Sequence, residues 1–143
     1  MPDAGDRNAA LLLDTSVAVP LLVADHEHHT ATVEEVGERR LGLAGHAAFE
    51  TFSVLTRLPA PARRSPAAVR DLLADNFPCS RFLGAAAASD LLLRLPGLRI
   101  GGGMVYDALV GAAAAEHGIT LASRDERAAT VYALLGVDLL LLG

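Results

Sequence analysis

Ala9-Ala10-Leu11-Leu12-Leu13-Asp14-Thr15-Ser16 is an apolar run that stops abruptly on a carboxylate and two hydroxyls. Five apolar residues without alternation, at 9–13, read as a strand buried on both faces, which is the condition of strands in parallel sheets. Either Thr15 or Ser16 is placed to cap a helix running through residues 17–24. Pro20 then falls within or just past the first turn, where its missing N–H costs at most one helical bond.

The same grammar repeats downstream. Short apolar runs at 41–44, 79–83, 119–122 and 137–142 read as further strands, and helical patterns occupy 27–40, 47–58, 85–95, 104–117 and 126–135. Three prolines make 59–66 a loop, and Ser65-Pro66 matches a capped helix start with proline at its first position, for a helix reaching Asn76. Pro96-Gly97 is expected to end one helix and Gly118 another. Alternating strands and helices predict a parallel sheet wrapped by helices, an α/β class.

A chain of 143 residues suits one domain, here expected over 9–143 behind a flexible N-terminus at 1–8. It is 52% hydrophobic but 4% aromatic, and the 20% charged content excludes a disordered chain. The longest apolar stretch, around 100–115, is too short and glycine-rich to span a bilayer. The net charge of -5 argues against a general electrostatic grip on nucleic acid, though not against a local one. All 12 basic residues are arginine, which excludes lysine chemistry. A lone cysteine, Cys79, read as a small buried hydrophobe, and a short acidic start without a secretory pattern make the cytoplasm the expected compartment.

Three acids stand alone in segments that would otherwise be core. Asp14 is the only charged residue of 8–24, Asp107 the only one of 100–115, and Glu50 the only one of 41–56 apart from the titratable His46. A carboxylate removed from water needs a cation, a metal or a proton. No lysine exists and no arginine lies within these windows, so the acids suggest a hard divalent cation such as Mg²⁺ or Mn²⁺. Asp14 and a fourth acid, Asp125, fall at carboxyl ends of expected strands, the edge where open α/β sheets place their sites. Each acid also has a plain reading: Asp14 or Asp125 as a helix cap, Glu50 as a surface residue, Asp107 in an ordinary salt bridge.

Together these residues resemble the PIN domain family and, within it, the VapC toxins of bacterial toxin–antitoxin pairs. The resemblance covers nearly the whole chain. It rests on Leu11-Leu12-Leu13-Asp14-Thr15-Ser16, on Ala48-Phe49-Glu50 with Ser53-Val54-Leu55-Thr56-Arg57-Leu58, on Gly102-Gly103-Met104-Val105-Tyr106-Asp107-Ala108-Leu109, and on Leu121-Ala122-Ser123-Arg124-Asp125. Tyr132-Ala133-Leu134-Leu135-Gly136-Val137 looks like the close of such a chain.

The resemblance implies a three-layer α/β/α sandwich around a mostly parallel sheet. It implies a Mg²⁺ or Mn²⁺ site held by Asp14, Glu50, Asp107 and Asp125, with the hydroxyls of Ser16 and Ser123 supporting the acids; Ser123 stands where threonine is common. It further implies endonucleolytic cleavage of RNA by a metal-activated water, with Asp107 or Asp125 accepting the proton, in a homodimer held inactive by a VapB-like antitoxin. Substrate phosphates would meet Arg57, Arg63, Arg64, Arg124 or Arg127, of which Arg124 and Arg127 flank the acids. The alternative is a PIN-like module that binds an antitoxin or RNA without cutting.

Other readings of the same residues fail on particulars. Aspartyl phosphotransferases of the haloacid dehalogenase type and response-regulator receivers both need a lysine. Gly101-Gly102-Gly103 does not complete a dinucleotide fingerprint, because Tyr106 occupies the last glycine position. His26, His28 and His29 diverge on a helix start and lack a cysteine for zinc. His46 and His117 read as capping or surface residues, and no nucleophile-elbow pattern supports a Ser-His-Asp triad.

Overall fold

A computed structural model describes residues 9–143; the expected flexible N-terminus at 1–8 lies outside the described residues. Along the chain run β1 (Ala10–Leu13), α1 (Thr15–Leu22), α2 (His29–Val36), β2 (Arg40–Leu43), α3 (His46–Thr56), α4 (Pro66–Asn76), α5 (Ala85–Leu98), α6 (Met104–His117), β3 (Leu121–Ser123), α7 (Glu126–Leu134) and β4 (Leu139–Leu141). The strands form one sheet in the order β2-β1-β3-β4, every pair parallel.

Alternation along β1 makes the layers. Leu11 and Leu13 point into one core with Val17 and Ala18 of α1, Val36 of α2 and Phe77 after α4. Leu12 points the other way, against Val110 and Ala114 of α6 and Ala128 and Tyr132 of α7. Helices therefore cover both faces, and the fold is the expected α/β/α sandwich. A smaller cluster of Leu91, Ile100, Ala108 and Val131 joins α5 to α6 and α7. No helix among the described residues is long and apolar enough to cross a membrane.

The segment 79–83 is not the expected strand. It runs beside β2, with Cys79 N–H donating to Leu41 O at 3.0 Å and Arg81 N–H to Leu43 O at 3.1 Å. The return bond is diverted, since Leu43 N–H donates to the Ser80 hydroxyl at 2.9 Å instead of a backbone carbonyl, leaving a single Ala44–Arg81 bridge. Gly42 permits the close approach, as a Cβ there would stand 2.3 Å from the Cys79 carbonyl. Cys79 itself is half-buried rather than buried.

Helix ends also differ from the sequence reading. The cap of α1 is Asp14, not Thr15 or Ser16: its side chain accepts from Ser16 N–H. The polar helix α2 is shorter than 27–40 because Gly37, at φ +58°, stops it and Arg40 enters β2. Helix α5 passes through Pro96 and Gly97 to Leu98. A proline near a C-terminus forfeits only one N–H, and the stop comes from Arg99 in the left-handed region, with Ile100 N–H reaching back to Leu95 O at 3.1 Å. Gly118 closes α6 as expected, in the same geometry.

Candidate active site

Strand order 2-1-3-4 means that the chain leaves β1 toward one edge of the sheet and leaves β3 toward the other. The two connections part above the carboxyl ends of β1 and β3, opening the crevice where open α/β sheets hold ligands. Asp14 follows β1 directly, bonded through its N–H to Ala122 O at 3.2 Å, and Asp125 lies two residues beyond β3. Glu50 enters from α3 and Asp107 from the first turn of α6. All four carboxylates line one cavity of about 60 Å³ together with Thr15, Ser16, Val110 and Tyr132.

Asp14 is 5% exposed and held on every side. Its Oδ1 accepts from the Ser16 N–H at 3.0 Å and the Ser16 hydroxyl at 2.5 Å, and its Oδ2 accepts from the Tyr132 hydroxyl at 2.8 Å. Ser16 Oγ in turn accepts from Arg124 N–H at 2.8 Å and lies 3.4 Å from Ser123 Oγ. Ser123 accepts from Asp125 N–H at 3.0 Å, so the two serines tie the β1 and β3 ends together. Asp125 Oδ1 caps α7 through Arg127 and Ala128 N–H at 2.9 and 3.2 Å. Glu50 accepts from the Thr15 hydroxyl at 3.0 Å and pairs with His46 Nε2 at 3.2 Å.

Burial pushes the Asp14 carboxyl above its ordinary range, against the opposing pull of Ser123, Ser16 and Tyr132. Asp107 is pushed up by burial and then by the charges of Asp125, Glu50 and Asp14. Tyr132 is raised by burial and by Asp14, so it remains a donor. Four acids in one small cavity, with no lysine or arginine side chain in its lining, form a negative site without an arginine or lysine counter-charge. All-oxygen donors of this kind match a hard divalent cation, and the cavity has room for an ion with a water or two. Among the described residues no three His, Cys, Asp or Glu side chains already stand at metal-ligand spacing. Glu50 bonds Thr15 and His46, while Asp125 caps its helix.

The structure thus brings together Asp14, Glu50, Asp107, Asp125, Ser16 and Ser123, and it confirms the capping readings of Asp14 and Asp125 alongside their place in the cavity. The arginines fare differently. The Arg124 guanidinium turns away from the cavity, donating to Glu35 Oε1 at 2.8 Å, Thr32 Oγ1 at 2.7 Å and the Gly143 carbonyl. Arg57 is exposed at the end of α3, two turns beyond Glu50, and Arg127 is exposed in the first turn of α7. Arg63 bonds the Leu58 carbonyl at 2.8 Å, and Arg64 lines a separate hollow with Asp25. His29 bonds the Pro20 carbonyl at 2.9 Å, and His117 bonds the Phe82 carbonyl at 3.0 Å.

Sequence reasoning missed three participants. Tyr132 lies seven residues after Asp125, two helical turns along the same face, a spacing that pairs it with the acid's side of α7. His46 stands four residues before Glu50, the spacing of a helical side-chain pair. Thr15 sits between two residues already singled out.

Comparison with known proteins agrees with this architecture. The model of the PIN domain matches residues 11–134. Ribonuclease VapC27 of Mycobacterium tuberculosis is 46% identical over 127 residues, spanning 89% of this chain and 93% of the relative. Ribonuclease VapC40 of the same species is 44% identical over 127 residues, spanning 87% of this chain and 93% of that relative. Among solved structures, VapBC2 from Rickettsia felis bound to a DNA fragment from its promoter superposes with a TM-score of 0.66 over 94% of this chain and 99% of that one, at 12% identity. That likeness speaks to the fold, while the identity to the mycobacterial proteins speaks to the branch. The chain belongs to the PIN domain family, among its VapC ribonucleases.

Proposed function

We propose that this chain is a Mg²⁺- or Mn²⁺-dependent endoribonuclease, the toxin of a VapBC-type pair, acting in the cytoplasm as a homodimer that a VapB-like antitoxin silences. The observation that carries the metal requirement is the cavity of four carboxylates without a basic side chain. Names of the mycobacterial relatives support RNA as substrate, and the Rickettsia felis complex supports an antitoxin partner.

Asp14, Glu50, Asp107 and Asp125 would hold the ion. Bound there, Mg²⁺ or Mn²⁺ supplies compensation of phosphate charge and a bound water of lowered pKa. The protein's own groups do the rest. Ser16 and Tyr132 hold both oxygens of Asp14 in a fixed orientation, and Thr15 and His46 do the same for Glu50. Asp107 is the carboxylate to accept a proton: among the described residues its oxygens have no hydrogen-bond donor, whereas Asp125 Oδ1 is engaged in the α7 cap. Capping α1 accounts for one oxygen of Asp14, but a module that only binds gives no account of the convergence of Glu50, Asp107 and Asp125 on the same small cavity.

The test is cleavage of single-stranded RNA with Mg²⁺ or Mn²⁺, against EDTA and against Asp14→Asn. Cleavage that requires the ion and disappears in the variant is expected. Full cleavage in EDTA, or by Asp14→Asn, would overturn the metal-site reading.

A further inference from the structure

Tyr106 immediately precedes Asp107, one of the carboxylates lining the cavity, and the residue is 53% exposed. The ring is not loose on the surface. The imidazole of His46 stacks beneath it, with centroids 5.0 Å apart and planes inclined by 25°. His46 is itself fixed by Glu50 at 3.2 Å, so one of the proposed ion-holding carboxylates anchors the lower ring of the stack. The three residues before Met104 are glycines, and a Cβ added to any of them would meet nothing within 4 Å. The segment leading into α6 thus adds no side chains of its own beside Tyr106 before Met104.

We propose that the Tyr106–His46 stack is a binding platform for one nucleobase of the RNA, next to the phosphate that is cut. The proposal rests on the ribonuclease reading above and adds to it a residue that contacts the substrate. The mouth is lined by carboxylates, the chain carries a net charge of -5, and the Arg124 guanidinium is committed to Glu35, so phosphate contacts alone give weak purchase on a polyanion here. Stacking on an aromatic face needs no positive charge and is the usual way proteins hold unpaired bases. A ring already stacked and anchored from below loses little freedom when a base covers its outer face. The site selects for single-stranded RNA, because a base inside a duplex does not present its face.

The experiment compares wild type, Tyr106→Ala, Tyr106→Trp and His46→Gln. The probe is a fluorescein-labelled single-stranded oligoadenylate, bound in Ca²⁺ buffer and followed by anisotropy, with initial rates of its cleavage in Mg²⁺. Tyr106→Ala should weaken binding and raise KM by roughly tenfold or more, the usual scale of one lost base stack, with a much smaller change in kcat. Tyr106→Trp should restore binding, and His46→Gln should fall between. Unchanged thermal melting of Tyr106→Ala, expected of an exposed side chain, separates the effect from misfolding. If wild type binds and cuts the RNA and Tyr106→Ala matches it in KM, the platform is wrong while the ribonuclease reading stands. If wild type neither binds nor cuts RNA, that reading fails and the platform fails with it.

Discussion

The Tyr132 hydroxyl donates to Asp14 Oδ2 at 2.8 Å, joining the last turn of α7 to the end of β1 across 118 positions of chain. Both groups are buried, so the bond compensates a charge that water cannot reach. Tyr132→Phe keeps the ring and removes the donor. Hydrogen bonds to charged groups contribute about 1.5–3 kcal/mol. Thermal unfolding should show a loss of that order, with slower RNA cleavage; a variant as stable and as active as wild type would contradict the bracing role.

Gly111 of α6 lets that tyrosine sit where it does. A Cβ at this position would lie 2.9 Å from Tyr132 Cδ1 and 3.1 Å from Leu135 Cδ1. Overpacking of a core costs about 1–3 kcal/mol, against roughly 1 kcal/mol that alanine returns in helix propensity. Gly111→Ala should therefore lower the melting temperature and cleavage together. The double variant Gly111→Ala with Tyr132→Phe should lose less than the sum, because displacing the ring already weakens the hydroxyl's bond to Asp14 that the second change removes.

The raised carboxyls carry a pH signature. A group whose pKa is higher folded than unfolded binds its proton more tightly in the native state, so its ionisation lowers stability. For Asp14 and Asp107 that loss begins near the ordinary value of 3.8 and grows as pH rises through the raised native pKa. Metal-free Asp107→Asn, which removes one charge from the cluster, should melt at or above wild type, with a gap that widens from pH 4 to 7. It should also fail to cut RNA. Melting curves in EDTA across this range read the gap directly, and Mg²⁺ should narrow it by compensating the wild-type charges; a gap independent of pH would refute the repulsion.

Glu35 and Arg124 form a pair in which the arginine side chain is 9% exposed and the glutamate 32%. Arg124 Nε is already buried without a partner, so the guanidinium depends on Glu35, Thr32 and the Gly143 carbonyl. Glu35→Gln leaves that charge poorly compensated and should cost about 1–3 kcal/mol, less than a fully buried pair because Glu35 is partly solvated. Since Arg124 N–H also holds Ser16, cleavage should fall in step with stability. Arg127→Ala, by contrast, should leave melting unchanged and raise KM for RNA.

Much of this protein is legible in local sequence. Leu11-Leu12-Leu13 is apolar on both faces, which only a strand covered on both sides tolerates, and β1 is that strand. Asp14, Glu50 and Asp107 declare themselves as charges in core-like windows, because desolvation makes such placements costly wherever the partners lie. Gly118 and the Ser65-Pro66 start act through backbone chemistry within a few residues, and both sit as their neighbours dictate.

What tertiary structure decided are the matters that depend on what arrives from elsewhere. Residues 79–83 have the composition of a strand, but a serine hydroxyl outcompetes the backbone for Leu43 N–H once Gly42 has drawn the segment close. Arg124 neighbours the site in sequence, yet its guanidinium is claimed by Glu35 on α2. Tyr132 becomes a ligand of Asp14 only because α7 packs against Gly111 and β3 pairs beside β1. Sequence marks where a buried charge must be compensated; packing alone chooses the partner, since a hydrogen bond needs atoms within about 3 Å and no local pattern encodes that distance.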